Sequence, residues 1–146
     1  MEGSSVFWED LARDMQDAEF ARAYVTESVR IGAVDAVIGE LDRARVTAGL
    51  SKAGLARAVG AEPAVIRRLF SSSGANPTLG TLVGVAAALG LRVTLEPLPA
   101  RERELVTAAL RSGQASGATA RLATDLRAAR SRPGTARVSR AAGCSR

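Results

Sequence analysis

Two adjacent arginines, Arg67 and Arg68, sit in the stretch PAVIRRLFS, Pro63 to Ser71. In a helix, at ~100° per residue, Ile66, Leu69 and Phe70 share one side of that stretch. Ala64, Arg68 and Ser71 fall opposite, with Arg67 at the flank. A guanidinium offers paired donors that match a guanine edge or a phosphate, and a methyl group can touch thymine. Upstream, Ser51 and Lys52 open another helical stretch, where exposed N–H groups and an ammonium suit a phosphate. Ser72 and Asn76 lie in the loop beyond and can reach phosphate too, and Arg43, Arg45 and Arg57 are further phosphate candidates. This is the chemistry of recognition. Catalysis has little to work with, because the chain has no histidine, the commonest general base and metal ligand. Ser51 and Lys52 are neighbours in sequence and do not face each other on a helix. Cys144 stands alone, so there is neither a disulfide framework nor a zinc set. No glycine-rich phosphate loop with its lysine and no defensible pair of carboxylates is present. We expect a chain that is not an enzyme, with no catalytic residue, metal or cofactor.

The elements that must hold these residues are punctuated by caps and glycines. Val34, Val37, Ile38 and Leu41 recur at helical spacing, Ala44 and Ala48 continue the face, and Gly49 closes it. Ser51 caps a short helix with Leu55, Ala56 and Val59 on one side, and Gly60 ends it. Glu62 and Pro63 open the next helix, with proline in the first turn where its missing N–H costs nothing. Two short helices joined by a tight glycine turn fit a helix-turn-helix. SSSGANP reads as a loop. Thr78 caps a further helix that turns Leu82, Val85, Ala86 and Leu89 inward, and Gly90 stops it. LRVTLEP then alternates, with Leu91, Val93 and Leu95 on one side, which predicts a short strand ended by Pro97. A lone strand is unstable in water, so a second copy of the chain is the expected pairing partner.

Charge divides the chain into three. Residues 1–42 carry 3 basic and 10 acidic groups, residues 43–100 carry 7 and 2, and residues 101–146 carry 10 and 3. Segregation of this kind points to different partners for different parts. The acidic front holds four of the five aromatics, Phe7, Trp8, Phe20 and Tyr24. Phe7, Leu11 and Met15 fit one helical stripe, and Phe20 and Tyr24 fit another behind Asp17 as N-cap. These aromatics either cover a core or, with Leu11, anchor a partner, which the acidic surroundings would favour as basic. Glu102 to Leu110 has helical character. Beyond Ser131 large apolar residues nearly vanish, so that stretch is expected to be mobile when alone. The acidic opening stretch lacks the continuous apolar segment of a signal peptide, and no apolar run reaches bilayer length. The expectation is a cytoplasmic protein with no membrane partner.

With Gly49, Leu50, Ser51, Leu55, Ala56, Gly60, Ile66 and Leu69 in place, the stretch Gly49 to Ser72 resembles the Xre/Cro repressor type of helix-turn-helix. Lys52 stands where that family usually carries a glutamine that often contacts DNA, which suggests a phosphate contact instead. The following NPTLGTL and AAALGLRVTLEP segments are also similar to the family, so the likeness spans residues ~34 to ~97, about half the chain. A narrower resemblance is to HigA-type antitoxins of type II toxin–antitoxin pairs, carried by DAEFARAYVTE, Asp17 to Glu27. The ALGLRVTLEP ending resembles HipB-like antitoxins, in which a strand at this point helps the dimer.

The resemblance implies a mainly α fold: an Xre/Cro repressor-like domain of four to five helices followed by one short β-strand. Composition divides the chain into an acidic aromatic arm (1–31), the expected DNA-binding domain (32–98) and an Arg/Ala-rich, partly disordered tail (99–146). The resemblance implies a homodimeric transcriptional repressor on a double-stranded DNA operator. The DNA-facing set is Ser51, Lys52, Glu62, Pro63, Ala64, Arg67, Arg68, Ser71, Ser72 and Asn76. The dimer strand is Leu91, Val93 and Leu95. The partner face is Phe7, Trp8, Leu11, Phe20 and Tyr24, offered to a basic ribonuclease-like toxin whose operon the protein also represses. A stand-alone regulator of the same family, without a toxin, is the alternative.

Overall fold

The computed structural model describes residues 2–71 and 75–128. Among them every regular element is a helix: α1 (Glu2–Asp14), α2 (Ala18–Thr47), α3 (Lys52–Val59), α4 (Pro63–Ser71), α5 (Leu79–Ala88), α6 (Ala100–Ser112) and α7 (Gly117–Ala128). None of these helices is long and apolar enough to cross a membrane. They divide between two compact units. One holds residues 36–92, and the other is assembled from residues 1–35 and 93–128.

The contiguous unit follows its punctuation. Ser51 is extended, and its side-chain oxygen accepts the Gly54 N–H at 2.9 Å, which caps α3. Gly60 closes α3 in the left-handed region (φ 65°), a conformation a Cβ disfavours. The Gly60 and Ala61 N–H groups turn back onto the carbonyls of Arg57 and Ala56. Thr78 caps α5 through the Thr81 N–H. Leu41 of α2, Leu55 and Ala56 of α3, Ile66 and Leu69 of α4, and Val85 and Ala86 of α5 form one core, with Phe70, Leu82 and Leu89 packed on it. The small side chain of Ala56 lets α4 lie close on α3.

The split unit has a core of its own: Leu11, Met15, Ala21, Val25, Val106, Ala109, Ala120 and Ala123, with Trp8 and Tyr24 packed against it. Asp17 caps α2 as its spacing suggests, its carboxylate accepting the Phe20 N–H at 2.9 Å. At Gly32 a Cβ would stand 2.7 Å from the carbonyl oxygen of Leu126, so glycine lets α2 and α7 approach at backbone distance. The buried Ser28 hydroxyl donates to the Tyr24 carbonyl and accepts from Arg127 Nε at 2.7 Å.

Several sequence expectations are corrected here. The arm and the first domain helix are not separate, because α2 runs unbroken from Ala18 to Thr47. Nothing between them stops a helix: there is no proline, and Gly32, at a cost of ~1 kcal/mol against alanine, sits at the contact with α7. The boundary expected at 31/32 therefore lies inside a helix. Within the segment expected as an Arg/Ala-rich, partly disordered tail, helical character was expected only over Glu102 to Leu110; residues 100–112 and 117–128 form α6 and α7 and supply Val106, Ala109, Ala120 and Ala123 to a core. Alanine carries that core face, and a search for large apolar residues passes over it. The strand expected at Leu91, Val93 and Leu95 does not form, and residues 91–99 carry neither helix nor strand. A strand needs a hydrogen-bonded neighbour, and the described residues hold no second extended segment paired with it. Leu91 packs on the core of the contiguous unit, whereas Leu95 is 98% exposed. The stretch beyond Ser131, expected to be mobile, lies outside the described residues.

Candidate nucleic-acid interface

Helix α4 is divided along its length. Ile66 and Leu69 are buried, and Phe70 is half-buried beside them. Pro63, Ala64, Arg67, Arg68 and Ser71 are exposed, as is Glu62 ahead of the helix. The buried side fixes the roll of α4 about its own axis, and the exposed side then carries two guanidinium groups, a hydroxyl and a methyl as one surface. The Ser71 hydroxyl donates to the carbonyl of Arg67, which leaves its oxygen as an acceptor at the end of the helix.

Lys52 is half-buried at the first turn of α3, and Ser51 is exposed beside it. The Ser51 oxygen is occupied as the cap, so a phosphate at this end would meet the hydroxyl hydrogen, the N–H groups of the first turn and the lysine. Asn76 is exposed in the segment before α5. Ser72 lies outside the described residues. Arg57 is exposed on α3.

Two arginines named as phosphate candidates are engaged elsewhere. Arg43 pairs with Glu40 one turn back on α2. Arg45 is drawn inward: its side chain is 15% exposed, against 48% for Arg43. Its Nε donates to Asp42 at 2.9 Å, its Nη1 donates to the Leu50 carbonyl at 2.8 Å, and its guanidinium lies 5.7 Å from the centre of the Phe70 ring. Sequence reasoning missed this role. The available signal was Asp42 three residues earlier, a spacing that pairs charges on a helix.

The residues expected to form the partner face separate into two groups. Leu11 is buried in the core of the split unit and has no surface to offer. Trp8 and Tyr24 are half-buried, and each carries an arginine from α7 over its ring. Arg121 lies 5.3 Å from the Trp8 ring centre, and Arg127 lies 4.5 Å from that of Tyr24. The Tyr24 hydroxyl is 3.3 Å from Thr124 Oγ1. Phe7 and Phe20 remain open, at 49% and 37% exposure, and Glu9, Asp10 and Asp14 are exposed on the same helix as Phe7. No signal in the sequence marked the arginines of α7 as partners of the front aromatics, because the pairs are more than a hundred residues apart. Further along α2, Arg30 hydrogen-bonds Glu27 and holds its carboxyl below the usual carboxylate range.

Comparison with known proteins finds no matching family model, no matching curated protein and no matching solved structure.

Proposed function

We propose that the chain binds double-stranded DNA through a helix-turn-helix made of α3, the turn from Gly60 to Glu62, and α4, and that it represses transcription at the site it occupies. The observation that carries this reading is the division of α4: Ile66 and Leu69 buried, with Ala64, Arg67, Arg68 and Ser71 exposed. In the major groove the exposed side reads base edges. Lys52 and the start of α3 hold a phosphate and set the register. Two copies pair through the run Leu91, Val93 and Leu95, of which Val93 and Leu95 are exposed, and their reading helices lie ~34 Å apart on half-sites ~10 bp apart. A protein at that site blocks a promoter that overlaps it.

The acidic front gives the repressor a second partner. Phe7 projects from α1 beside exposed carboxylates, which suits a basic protein with an apolar socket. In our reading that protein is a ribonuclease-like toxin, and the chain is its antitoxin.

The test is enrichment of a random duplex pool on the full chain, followed by mobility shifts against the enriched duplex and a scrambled one of the same composition. A palindromic winner, held at least a hundredfold more tightly than the scramble, is the expected result. Equal affinity for both duplexes overturns sequence reading. A basic protein captured by the wild type and lost with Phe7→Asp supports the antitoxin role, and equal capture by both overturns the proposed face.

A further inference from the structure

Arg45 was a candidate for phosphate, yet it faces away from solvent and grips three elements at once. Its own carbonyl accepts the Leu50 N–H at 3.1 Å, and its guanidinium donates to the Leu50 carbonyl at 2.8 Å. Both faces of one residue are thereby held from one side chain and its backbone. Leu50 directly precedes Ser51, the cap of α3. The same guanidinium contacts Asp42 through Nε and Nη2, which fixes its plane on α2. Its third contact is the Phe70 ring, in the last turn of α4, two residues beyond Arg68.

We infer that Arg45 is a positioning residue for DNA reading: it joins the residue ahead of the α3 cap to the last turn of α4, and so sets the distance between the phosphate-holding end of α3 and the arginine-bearing end of α4. The inference rests on the DNA-binding reading above. A duplex is a rigid template with fixed phosphate and groove positions. A protein whose two contact points drift relative to each other keeps its charge and loses its register. Arginine suits the post because its planar fork gives several donors in fixed directions and stacks on a ring, whereas a lysine ammonium is one flexible point charge. Phe70 is matched to it, since its ring both packs on the core and presents a face to the guanidinium.

The test uses the full chain and three variants: Arg45→Met, Arg45→Lys and Phe70→Leu. Each is assayed against the duplex enriched by the wild type and against its scramble, at 10 °C and across a salt series, with helical circular dichroism recorded on the same samples. Arg45→Met is expected to lower affinity for the enriched duplex at least tenfold, to move affinity for the scramble less than twofold, and to leave the salt slope unchanged, since no phosphate contact is removed. Arg45→Lys falls between the two, and Phe70→Leu shows a smaller loss in the same direction.

A lower melting temperature with the ratio of the two affinities unchanged shows an ordinary packing role and overturns the inference. Equal losses on both duplexes, with the salt slope reduced by about one, show direct phosphate contact and also overturn it. If Arg45→Met does not fold, Phe70→Leu decides, and an unchanged ratio there overturns the inference. If the wild type enriches no duplex, the DNA-binding reading itself fails, an outcome distinct from a wild type that discriminates and a variant that does so equally well.

Discussion

The two units differ in how they use arginine. In the unit assembled from both ends of the chain, Arg121 and Arg127 of α7 lie over Trp8 and Tyr24. Each guanidinium meets a ring from a distant segment, Arg121 while exposed and Arg127 half-buried. In residues 36–92, Arg67 and Arg68 are exposed on a helix whose opposite side is buried, and Arg45 is used as an internal brace. A count of basic residues treats these units alike. Position tells them apart: a guanidinium over a ring gains packing and electrostatic contact, whereas a row of guanidinium groups on a rigid helix presents a field to whatever docks there.

That contrast can be broken at several points. The largest effect is expected from Ile66→Ala, which empties a fully buried site beneath α4. It should cost ~2–5 kcal/mol in denaturant unfolding followed by circular dichroism, and it should abolish discrimination between duplexes. A loss below ~1 kcal/mol would show that α4 is not anchored as described. Next comes Gly32→Ala, which drives a methyl into the Leu126 carbonyl and should cost ~1–3 kcal/mol while leaving DNA affinity at 10 °C unchanged. A matching drop in DNA affinity would show that the two units are not independent in this respect.

Arg68→Ala should weaken binding to the enriched duplex by ~1–3 kcal/mol and relax preference at one base position in mobility shifts. Phe7→Ser should change folding stability by less than ~0.5 kcal/mol, because its ring is half exposed. Tyr24→Ala should cost more than that, since its ring packs on a core and carries Arg127. Equal costs would erase the distinction between open and engaged aromatics. The smallest effect concerns Glu27. Its carboxyl is held low, first by the hydrogen bond from Arg30. A carboxylate whose folded pKa lies below its unfolded value adds stability above the unfolded value and loses it as pH falls through the folded one. Melting temperature should therefore fall on acidification slightly less steeply in Glu27→Gln than in the wild type.

Legibility followed the same division. Residues 36–92 advertise their elements because each helix begins at a capping hydroxyl or a proline and several end at glycine. Their core is also made of residues that read as core: Leu41, Leu55, Ile66, Leu69 and Val85. The split unit hides from the same reading. Its partners meet across the whole chain, as α1 meets α7, and half of its buried core is alanine, which a helical stripe on a polar surface can equally contain. The front aromatics were recognised as important, but whether they faced a core or a partner depended on α7, whose register nothing in the first forty residues encodes. The inward turn of Arg45 was obscured for a simpler reason. An arginine at the end of a helix fits a surface contact as well as a brace, and Phe70 had been counted only as a core residue. The alternating run at Leu91 was read as a strand, but pairing is a property of two segments and cannot be inferred from one.

The order of segments along the polypeptide has a consequence for biosynthesis. Residues 36–92 are complete as soon as they clear the ribosome, and a unit of this kind, rich in local contacts, collapses quickly. The helices ahead of it must wait until residue 128 has been made before Val106, Ala109, Ala120 and Ala123 arrive to cover Leu11, Met15 and Val25. During that interval the nascent chain displays a greasy, negatively charged pair of helices ahead of a finished module. A premature stop or a protease cut between 93 and 128 would freeze it there, releasing a fragment with an intact middle and a sticky front end, a natural target for quality control.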